Sequence, residues 1–201
     1  MIAIIDYGAG NIKSVEKAFD FLGTKTILTA DKDIILNSDK VVLPGVGAFG
    51  DAMELLNASG LSDTIKEVVK NQIPFLGICL GMQMMFEKSE EGVSTPGLGI
   101  FKGEIKRFKE TEGYKIPHIG WNEIKINKDS RLFNGISENP FVYFVHSYYL
   151  DAFDKNIVAA TCDYINTFDA GIESGNTFAC QFHPEKSGSV GLKILKNFAE
   201  I

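Results

Sequence analysis

The segment Gly77-Ile78-Cys79-Leu80-Gly81 places a cysteine between two glycines, after a short apolar run and before a predicted helix. This is the pattern of a nucleophile elbow, with sulfur in place of the serine oxygen. A helix that begins directly after the cysteine favours the thiolate over the thiol. The backbone amide of Leu80 would point at the space where an oxyanion forms. We therefore predict a nucleophile at Cys79; the alternative is a buried structural cysteine.

A second segment, Gln181-Phe182-His183-Pro184-Glu185-Lys186-Ser187, offers a base beside a carboxylate. His183 ends an apolar run and precedes a proline, so its backbone should be extended. In extended backbone, side chains two residues apart project to the same side, which allows Glu185 to orient the His183 imidazole. Together with Cys79, this pair supplies the nucleophile, base and orienting group of a catalytic triad. The alternative is a surface histidine and glutamate at the end of a strand.

Two glycine-rich loops follow predicted strands, at Gly8-Ala9-Gly10 and at Pro44-Gly45-Val46-Gly47. The second loop lacks the Lys-Ser/Thr ending of a phosphate-binding P-loop, and the first has Lys13 where a dinucleotide fingerprint has its third glycine. We therefore predict that the second loop supplies a backbone amide to an oxyanion hole rather than a phosphate cradle. The cysteines and histidines lack the short spacing of zinc ligands, so we expect no metal and no cofactor.

Strand and helix patterns alternate in the first half of the chain, which predicts an α/β fold with a parallel sheet. The predicted strands are Ile2–Ile5, Lys25–Leu28, Val41–Leu43 and Phe75–Ile78, and the predicted helices run from Ile12 to Leu22 (capped by Asn11), from Leu61 to Val69 and from Leu80 to about Phe86. Cys79 and His183 both follow predicted strands, at whose carboxyl ends open α/β sheets build their sites.

The second half of the chain is richer in strands. They are predicted at Glu104–Phe108, Trp121–Ile126, Phe141–Val145, Ile157–Thr161 and Thr177–Phe182, before a final helix from Val190 to about Phe198. The sequence contains no internal repeat and no low-complexity linker. We therefore expect one domain over residues 1–201 with a β-rich second half.

The composition limits the classes of partner. Asp and Glu total 26 against 20 Lys and Arg, and this net charge of −6 argues against a nucleic-acid binder. No apolar run approaches the roughly 18 residues of a membrane span, and the N-terminus lacks the basic flank of a signal peptide. Three widely spaced cysteines, Cys79, Cys162 and Cys180, favour a reducing cytoplasmic location.

Taken together, the motifs resemble those of the class I, or triad, glutamine amidotransferases. Within that class, the chain resembles the glutaminase subunits of imidazole glycerol phosphate synthase from end to end. The segments that carry the resemblance are Asp6-Tyr7-Gly8-Ala9-Gly10-Asn11, Pro44-Gly45-Val46-Gly47-Ala48-Phe49, Gly77-Ile78-Cys79-Leu80-Gly81-Met82-Gln83, Pro117-His118-Ile119-Gly120-Trp121-Asn122, Tyr143-Phe144-Val145-His146-Ser147-Tyr148 and Phe182-His183-Pro184-Glu185.

The resemblance implies a flavodoxin-like three-layer α/β/α fold and a glutaminase reaction. Cys79 would attack the side-chain amide of L-glutamine, His183 would transfer protons and Glu185 would hold the imidazole. The implied oxyanion hole uses the amide of Leu80 and the loop at Val46 and Gly47. The implied glutamine contacts are Gly47, Gln83, Ser147 and Tyr148, the last two through backbone groups.

The resemblance also implies a heterodimer with a TIM-barrel cyclase subunit of the HisF type. Ammonia would pass to this partner, which makes imidazole glycerol phosphate and aminoimidazole carboxamide ribotide in histidine biosynthesis. The implied interface residues are Asn11, His118, Trp121, Tyr143 and Lys186, with the single tryptophan in a Gly-Trp-Asn turn as a hot spot. The alternatives are a paralogue that supplies ammonia for surface-sugar modification, an inactive partner-binding protein, and a free-standing cysteine hydrolase.

Overall fold

The computed structural model describes residues 1–92, 95–127 and 129–201. The first half of the chain contains β1 (Ile2–Ile5), α1 (Ile12–Phe21), β2 (Thr26–Thr29), α2 (Lys32–Leu36), β3 (Lys40–Gly45), α3 (Phe49–Ala58), α4 (Leu61–Lys70), β4 (Phe75–Cys79) and α5 (Leu80–Gln83). The second half contains β5 (Lys88–Ser89), β6 (Gly103–Arg107), β7 (His118–Ile126), β8 (Phe141–His146), β9 (Tyr148–Ala152), β10 (Val158–Asp163), β11 (Thr167–Ser174), β12 (Thr177–Cys180) and α6 (Gly188–Glu200). Short 3₁₀ turns lie at Lys155–Ile157 and Pro184–Lys186.

Five strands form a parallel sheet in the order β2-β1-β3-β4-β12. This is the flavodoxin-like order, with the fifth position taken by a strand from the end of the chain. The sheet continues as antiparallel β11-β10-β7-β8, and β9 links β11 to a branch of β6 and β5. The predicted parallel core and β-rich second half are therefore confirmed.

Alternation along β1 shows how helices cover both faces of the parallel sheet. Ala3 and Ile5 are buried in the apolar cluster that includes α2, α3 and α4, whereas Ile2 and Ile4 are buried in the cluster that includes α1 and α6. Successive strand residues point to opposite faces, so a strand covered on both sides must be apolar throughout. The three-layer α/β/α arrangement follows from this pattern.

Helix α5 ends at Gln83, shorter than the predicted helix to about Phe86. The carbonyls of Met84, Met85 and Phe86 accept hydrogen bonds from the amides of Leu98, Ile100 and Gly99, respectively. These long-range bonds replace the next helical turn. Trp121 lies within β7, as the predicted strand Trp121–Ile126 requires, and not in a Gly-Trp-Asn turn.

Asn11 lies at the N-terminus of α1, as predicted, but its side chain does not cap a backbone amide. Its Oδ1 accepts a hydrogen bond from the Ser14 hydroxyl at 2.8 Å.

Among the described residues, no helix has the length and apolar character needed to cross a bilayer.

Candidate active site

Cys79 occupies a sharp strand-to-helix turn between β4 and α5. Its backbone dihedrals are φ 55° and ψ −110°, in a region that costs a residue with a side chain about 1–3 kcal/mol. A Cβ added at Gly81 would lie 1.9 Å from the carbonyl oxygen of Leu43, so only glycine allows the two backbones to approach this closely. The predicted elbow is therefore present, although α5 has only four residues.

His183 follows β12 with extended backbone and forms a buried pair with Glu185. The distance between His183 Nδ1 and Glu185 Oε1 is 2.8 Å, and both side chains are almost fully buried. Burial opposes a charge on the ring, but the neighbouring Cys79 sulfur and Glu185 carboxylate outweigh it and raise the pKa of His183 above the ordinary histidine value. His183 Nε2 is buried and has no hydrogen-bond partner among the described residues. This nitrogen is thus available for proton transfer.

A cavity of about 250 Å³ brings most of the predicted site residues together. It is lined by Val46, Gly47, Cys79, Leu80, Gln83, Glu91, Pro117, Val145, His146, Ser147, Tyr148 and His183. Pockets for drug-sized ligands occupy about 300–1,000 Å³, so this volume suits an amino-acid-sized molecule. A larger, more open depression of about 910 Å³ lies between residues 129–139 and the end of α6 and contains none of the predicted site residues.

Gln83 forms a hydrogen-bonded group with two neighbours at the back of the cavity. Its Nε2 donates to the carbonyl oxygen of Tyr148 at 3.0 Å and to Oε1 of Gln181 at 2.9 Å. The Tyr148 carbonyl also lies 2.8 Å from His146 Nδ1. Both lone pairs of this carbonyl are therefore used, and a contact between Tyr148 and a ligand must come from its amide or side chain.

Glu91 and Gln181 are polar residues of the site to which the sequence analysis assigned no role. Glu91 lines the cavity, and its Oε2 accepts a hydrogen bond from the amide of Phe49 at 2.9 Å. Burial raises the pKa of Glu91, and the Phe49 amide opposes this effect. Glu91 lies in an acidic stretch that reads as a solvated surface, so no local signal marks it.

Two histidines form a buried chain beside the cavity. His118 Nδ1 lies 2.9 Å from His146 Nε2, and burial lowers the pKa of His118 to about 4 and that of His146 to about 3. The His118 ring stacks on Tyr164 and Phe144, with centroid distances of 3.9 and 4.8 Å. The predicted contact of His118 with a partner stays a prediction: the residue is 3% exposed, because aromatic side chains cover its ring.

The remaining predicted interface residues reach the surface. Trp121 is 55% exposed, and Tyr143, its partner across β7 and β8, packs against it edge-to-face. Exposed Ile119 and Phe141 lie on the same face, and we call these four residues the β7–β8 apolar surface. Lys186 is exposed in the Pro184–Lys186 3₁₀ turn, and Asn11 is half-buried at the start of α1. The turn and α1 are in contact with each other.

No group of three or more His, Cys, Asp or Glu side chains that could hold a metal lies within the described ranges. The site consists instead of a strained cysteine, a buried histidine–glutamate pair and a small polar cavity. This arrangement suits nucleophilic attack on an acyl or amide carbon.

Comparison with known proteins agrees with this chemistry. The family model for "Glutamine amidotransferase class-I" matches residues 3–201. The chain is 50% identical over 201 residues to the imidazole glycerol phosphate synthase subunit HisH of Methanocaldococcus jannaschii, with all of both chains covered. It is 52% identical over 198 residues to HisH of Bacillus cereus, covering 98% of this chain and 93% of the relative.

Solved structures show the same fold at low sequence identity. A crystal structure described as a glutamine amidotransferase has a TM-score of 0.77 and 15% identity, covering 100% of this chain and 98% of that one. The structure of PurLQS from Thermotoga maritima has a TM-score of 0.75 and 20% identity, with 99% and 97% covered. From the family match and the full-length relatives, the chain belongs to the class I glutamine amidotransferases and, within them, to the HisH family.

Proposed function

We propose that this chain is the glutaminase subunit of imidazole glycerol phosphate synthase, in which it hydrolyses L-glutamine to glutamate and ammonia. The observation that carries the proposal is the cavity in which Cys79 at a strained elbow meets His183, itself paired with buried Glu185. Full-length identity to HisH relatives supports the pathway. All three cysteines are unpaired, which supports the reducing cytoplasm as the location.

In the first half of the reaction, the Cys79 sulfur attacks the carboxamide carbon of glutamine. A C–S bond forms, the thiol proton passes to His183, and negative charge develops on the amide oxygen. His183 then protonates the leaving nitrogen as the C–N bond breaks, which releases ammonia and leaves a thioester. Glu185 holds the ring through Nδ1, so that Nε2 carries out both transfers.

In the second half, water hydrolyses the thioester. His183 accepts a proton from the water as the water oxygen bonds to the acyl carbon. The C–S bond then breaks to give glutamate, and His183 returns the proton to the Cys79 sulfur. The oxyanion of both steps would be held by the amide of Leu80 and by an amide of the Val46–Gly47 loop, since Val46, Gly47 and Leu80 all line the cavity.

Recognition of glutamine is proposed to involve Gly47, Gln83, Ser147, Tyr148 and Glu91. Both amide hydrogens of Gln83 are used by protein acceptors, so its Oε1 is the atom left to contact a ligand. Glu91 supplies a carboxylate to the same cavity. Two acceptors suit the α-ammonium group of an amino acid. The predicted backbone contact of Tyr148 then falls to its amide, because both lone pairs of its carbonyl are used, whereas the Ser147 carbonyl, which accepts from Phe108 N, keeps one lone pair.

The partner is proposed to be a TIM-barrel cyclase of the HisF type, bound as a heterodimer at the β7–β8 apolar surface. Trp121 and Tyr143 would form its centre, with Lys186 and Asn11 at the edge. The cyclase would consume the ammonia to form imidazole glycerol phosphate and aminoimidazole carboxamide ribotide.

The test is reconstitution with the cyclase and its phosphoribulosyl aminoimidazole carboxamide nucleotide. Glutamine-dependent formation of imidazole glycerol phosphate by the co-purified pair would support the function. Turnover of glutamine at the same rate by the chain alone would contradict it and favour a free-standing hydrolase.

A further inference from the structure

We propose that Gln181 is a further catalytic residue, whose side-chain amide donates a hydrogen bond to the Cys79 sulfur and stabilises the thiolate. This inference rests on the proposed function in taking Cys79 as the nucleophile. Gln181 Nε2 lies 3.7 Å from Cys79 Sγ, and Gln181 is completely buried. Because β12 and β4 are neighbouring parallel strands, the residue after Cys180 comes beside the elbow.

The direction of this hydrogen bond follows from the acceptors around it. The Tyr148 carbonyl can only accept, so the atom of Gln83 that faces it must be the Nε2 donor. The same Nε2 lies 2.9 Å from the Gln181 amide, which must therefore present its oxygen to Gln83. Gln181 Nε2 is then the atom that points at the sulfur of Cys79.

Other contacts hold this arrangement in place. The backbone amide of Gln181 donates to the carbonyl of Ala170 at 2.9 Å. On the far side of the carbonyl of Tyr148, His146 donates through Nδ1, and His118 donates in turn to Nε2 of His146. His146 accepts through one nitrogen and donates through the other, so its ring is neutral, which agrees with its burial. The Gln181 amide thus has one orientation that satisfies every partner.

Besides Gln181, several titratable groups surround Cys79. His183 and Glu185 come from the segment after β12, Tyr7 comes from the loop after β1, and Cys180 comes from β12. Glu91 reaches the same cavity from the loop after β5. Gln181 differs from all of these groups because it is a neutral donor that cannot take the proton. Its hydrogen bond therefore stabilises the thiolate whether the His183 imidazole is protonated or neutral.

The test measures the thiolate directly, through the rate at which iodoacetamide alkylates Cys79 in the full-length chain between pH 4 and 10, followed by mass spectrometry. Hydrogen bonds to charged groups contribute about 1.5–3 kcal/mol. Gln181→Met should therefore raise the midpoint of the alkylation profile by about one to two pH units. Gln181→Glu, which presents an acceptor instead of a donor, should move it further. Gln72→Glu makes the same exchange at an exposed site and should leave the profile unchanged.

A kinetic measurement separates this role from a structural one. Gln181 does not line the cavity, so in the complex with the cyclase Gln181→Met should lower kcat with little change in KM for glutamine. An unchanged alkylation midpoint in folded Gln181→Met would overturn the inference, and this variant carries the test if the buried glutamate variant fails to fold. Failure of the wild-type chain to react preferentially at Cys79 would instead overturn the assignment of the nucleophile.

Discussion

The backbone amide of His183 donates to the carbonyl oxygen of Tyr143, with 2.9 Å between the two atoms. Ser187 strengthens this link, because its hydroxyl accepts from the Tyr143 amide and donates to the carbonyl of His183. Tyr143 also belongs to the β7–β8 apolar surface and packs on Trp121. A protein that docks on this surface therefore contacts a strand bonded directly to the proposed base.

The first prediction concerns the nucleophile. A glutamine-mimicking diazoketone should add once to the chain, at Cys79. Burial raises the pKa of Cys162 to about 12 and that of Cys180 well above its ordinary value, so both remain unreactive thiols at neutral pH. Intact-protein and peptide mass spectrometry would locate the adduct. Labelling mainly at Cys162 or Cys180 would contradict the triad.

The second prediction separates the base from its orienting group. His183→Ala should lower glutaminase turnover in the complex by about 10²–10⁴-fold, which is the usual contribution of a positioned general base. Glu185→Gln should cost less, because this carboxylate orients the ring and transfers no proton. Steady-state kinetics would compare both variants with Cys79→Ala. If Glu185→Gln were as inactive as Cys79→Ala, the assigned roles would be wrong.

The third prediction concerns activation by the partner. The isolated chain should hydrolyse glutamine slowly, and its rate should rise at least about a hundredfold when the cyclase and its nucleotide are both present. The reason is the loop at Val46 and Gly47, where Gly47 has φ +93° and a peptide can rotate to aim an amide at the oxyanion. One such donor is worth about 10²–10³ in rate. Kinetics on the chain, the pair and the pair with nucleotide would measure the effect.

The control for this activation is Cys79→Ala in the complex. Synthesis of imidazole glycerol phosphate from added ammonia should continue at the wild-type rate, because only the glutamine site is removed. Loss of the ammonia-dependent reaction as well would show that the substitution disturbs the cyclase, and the activation data would then need another explanation.

The fourth prediction concerns Trp121 as the centre of the proposed interface. Trp121→Ala should weaken binding to the cyclase by about 30-fold or more, the effect of losing a hot spot worth at least about 2 kcal/mol. Calorimetric titration would measure the dissociation constant. Phe21→Ala, at an aromatic residue 77% exposed on α1, is the matched control and should bind normally. Equal affinities for the two variants would place the interface elsewhere.

The fifth prediction concerns the buried histidine chain. The pKa values of His118 and His146 are lowered to about 4 and 3, so both rings should be neutral at pH 6 with the proton on Nδ1. The folded protein then binds fewer protons than the unfolded chain below about pH 6.5, and the free energy of unfolding should fall as the pH falls from 6.5 towards 4. Nitrogen NMR on the rings of His118 and His146 would detect a charged ring or the other tautomer, either of which would contradict the prediction.

The parallel core and the triad were predictable because their signals are local. The runs at β1, β3 and β4 are apolar without interruption, as strands covered on both faces must be. The Cys79 elbow and the His183–Glu185 pair likewise depend on residues within five positions of one another. The structure confirms the strands to within a few residues at their ends and brings Cys79, His183 and Glu185 close together, while their catalytic roles stay a prediction.

Elements stabilised by distant partners were missed. Strand β11 carries Asp169 in its interior, and an aspartate in that position argues against a strand. The structure satisfies this buried carboxylate with the amide of Ala152 and the ammonium of Lys155, which no local pattern reveals. The burial of His118 was missed for the same reason, because Tyr164 comes from another part of the chain.

The hydrogen bonds between Tyr143 and the 183–187 turn have one more consequence. Within the described chain, β8 lies at the end of the sheet, where unpaired backbone groups invite strands from other molecules. At Tyr143 the turn occupies these groups and blocks the addition of a further strand. The segment that carries the base thus also protects the protein against edge-to-edge aggregation, and substitutions that loosen it should reduce the yield of monomeric protein as well as its activity.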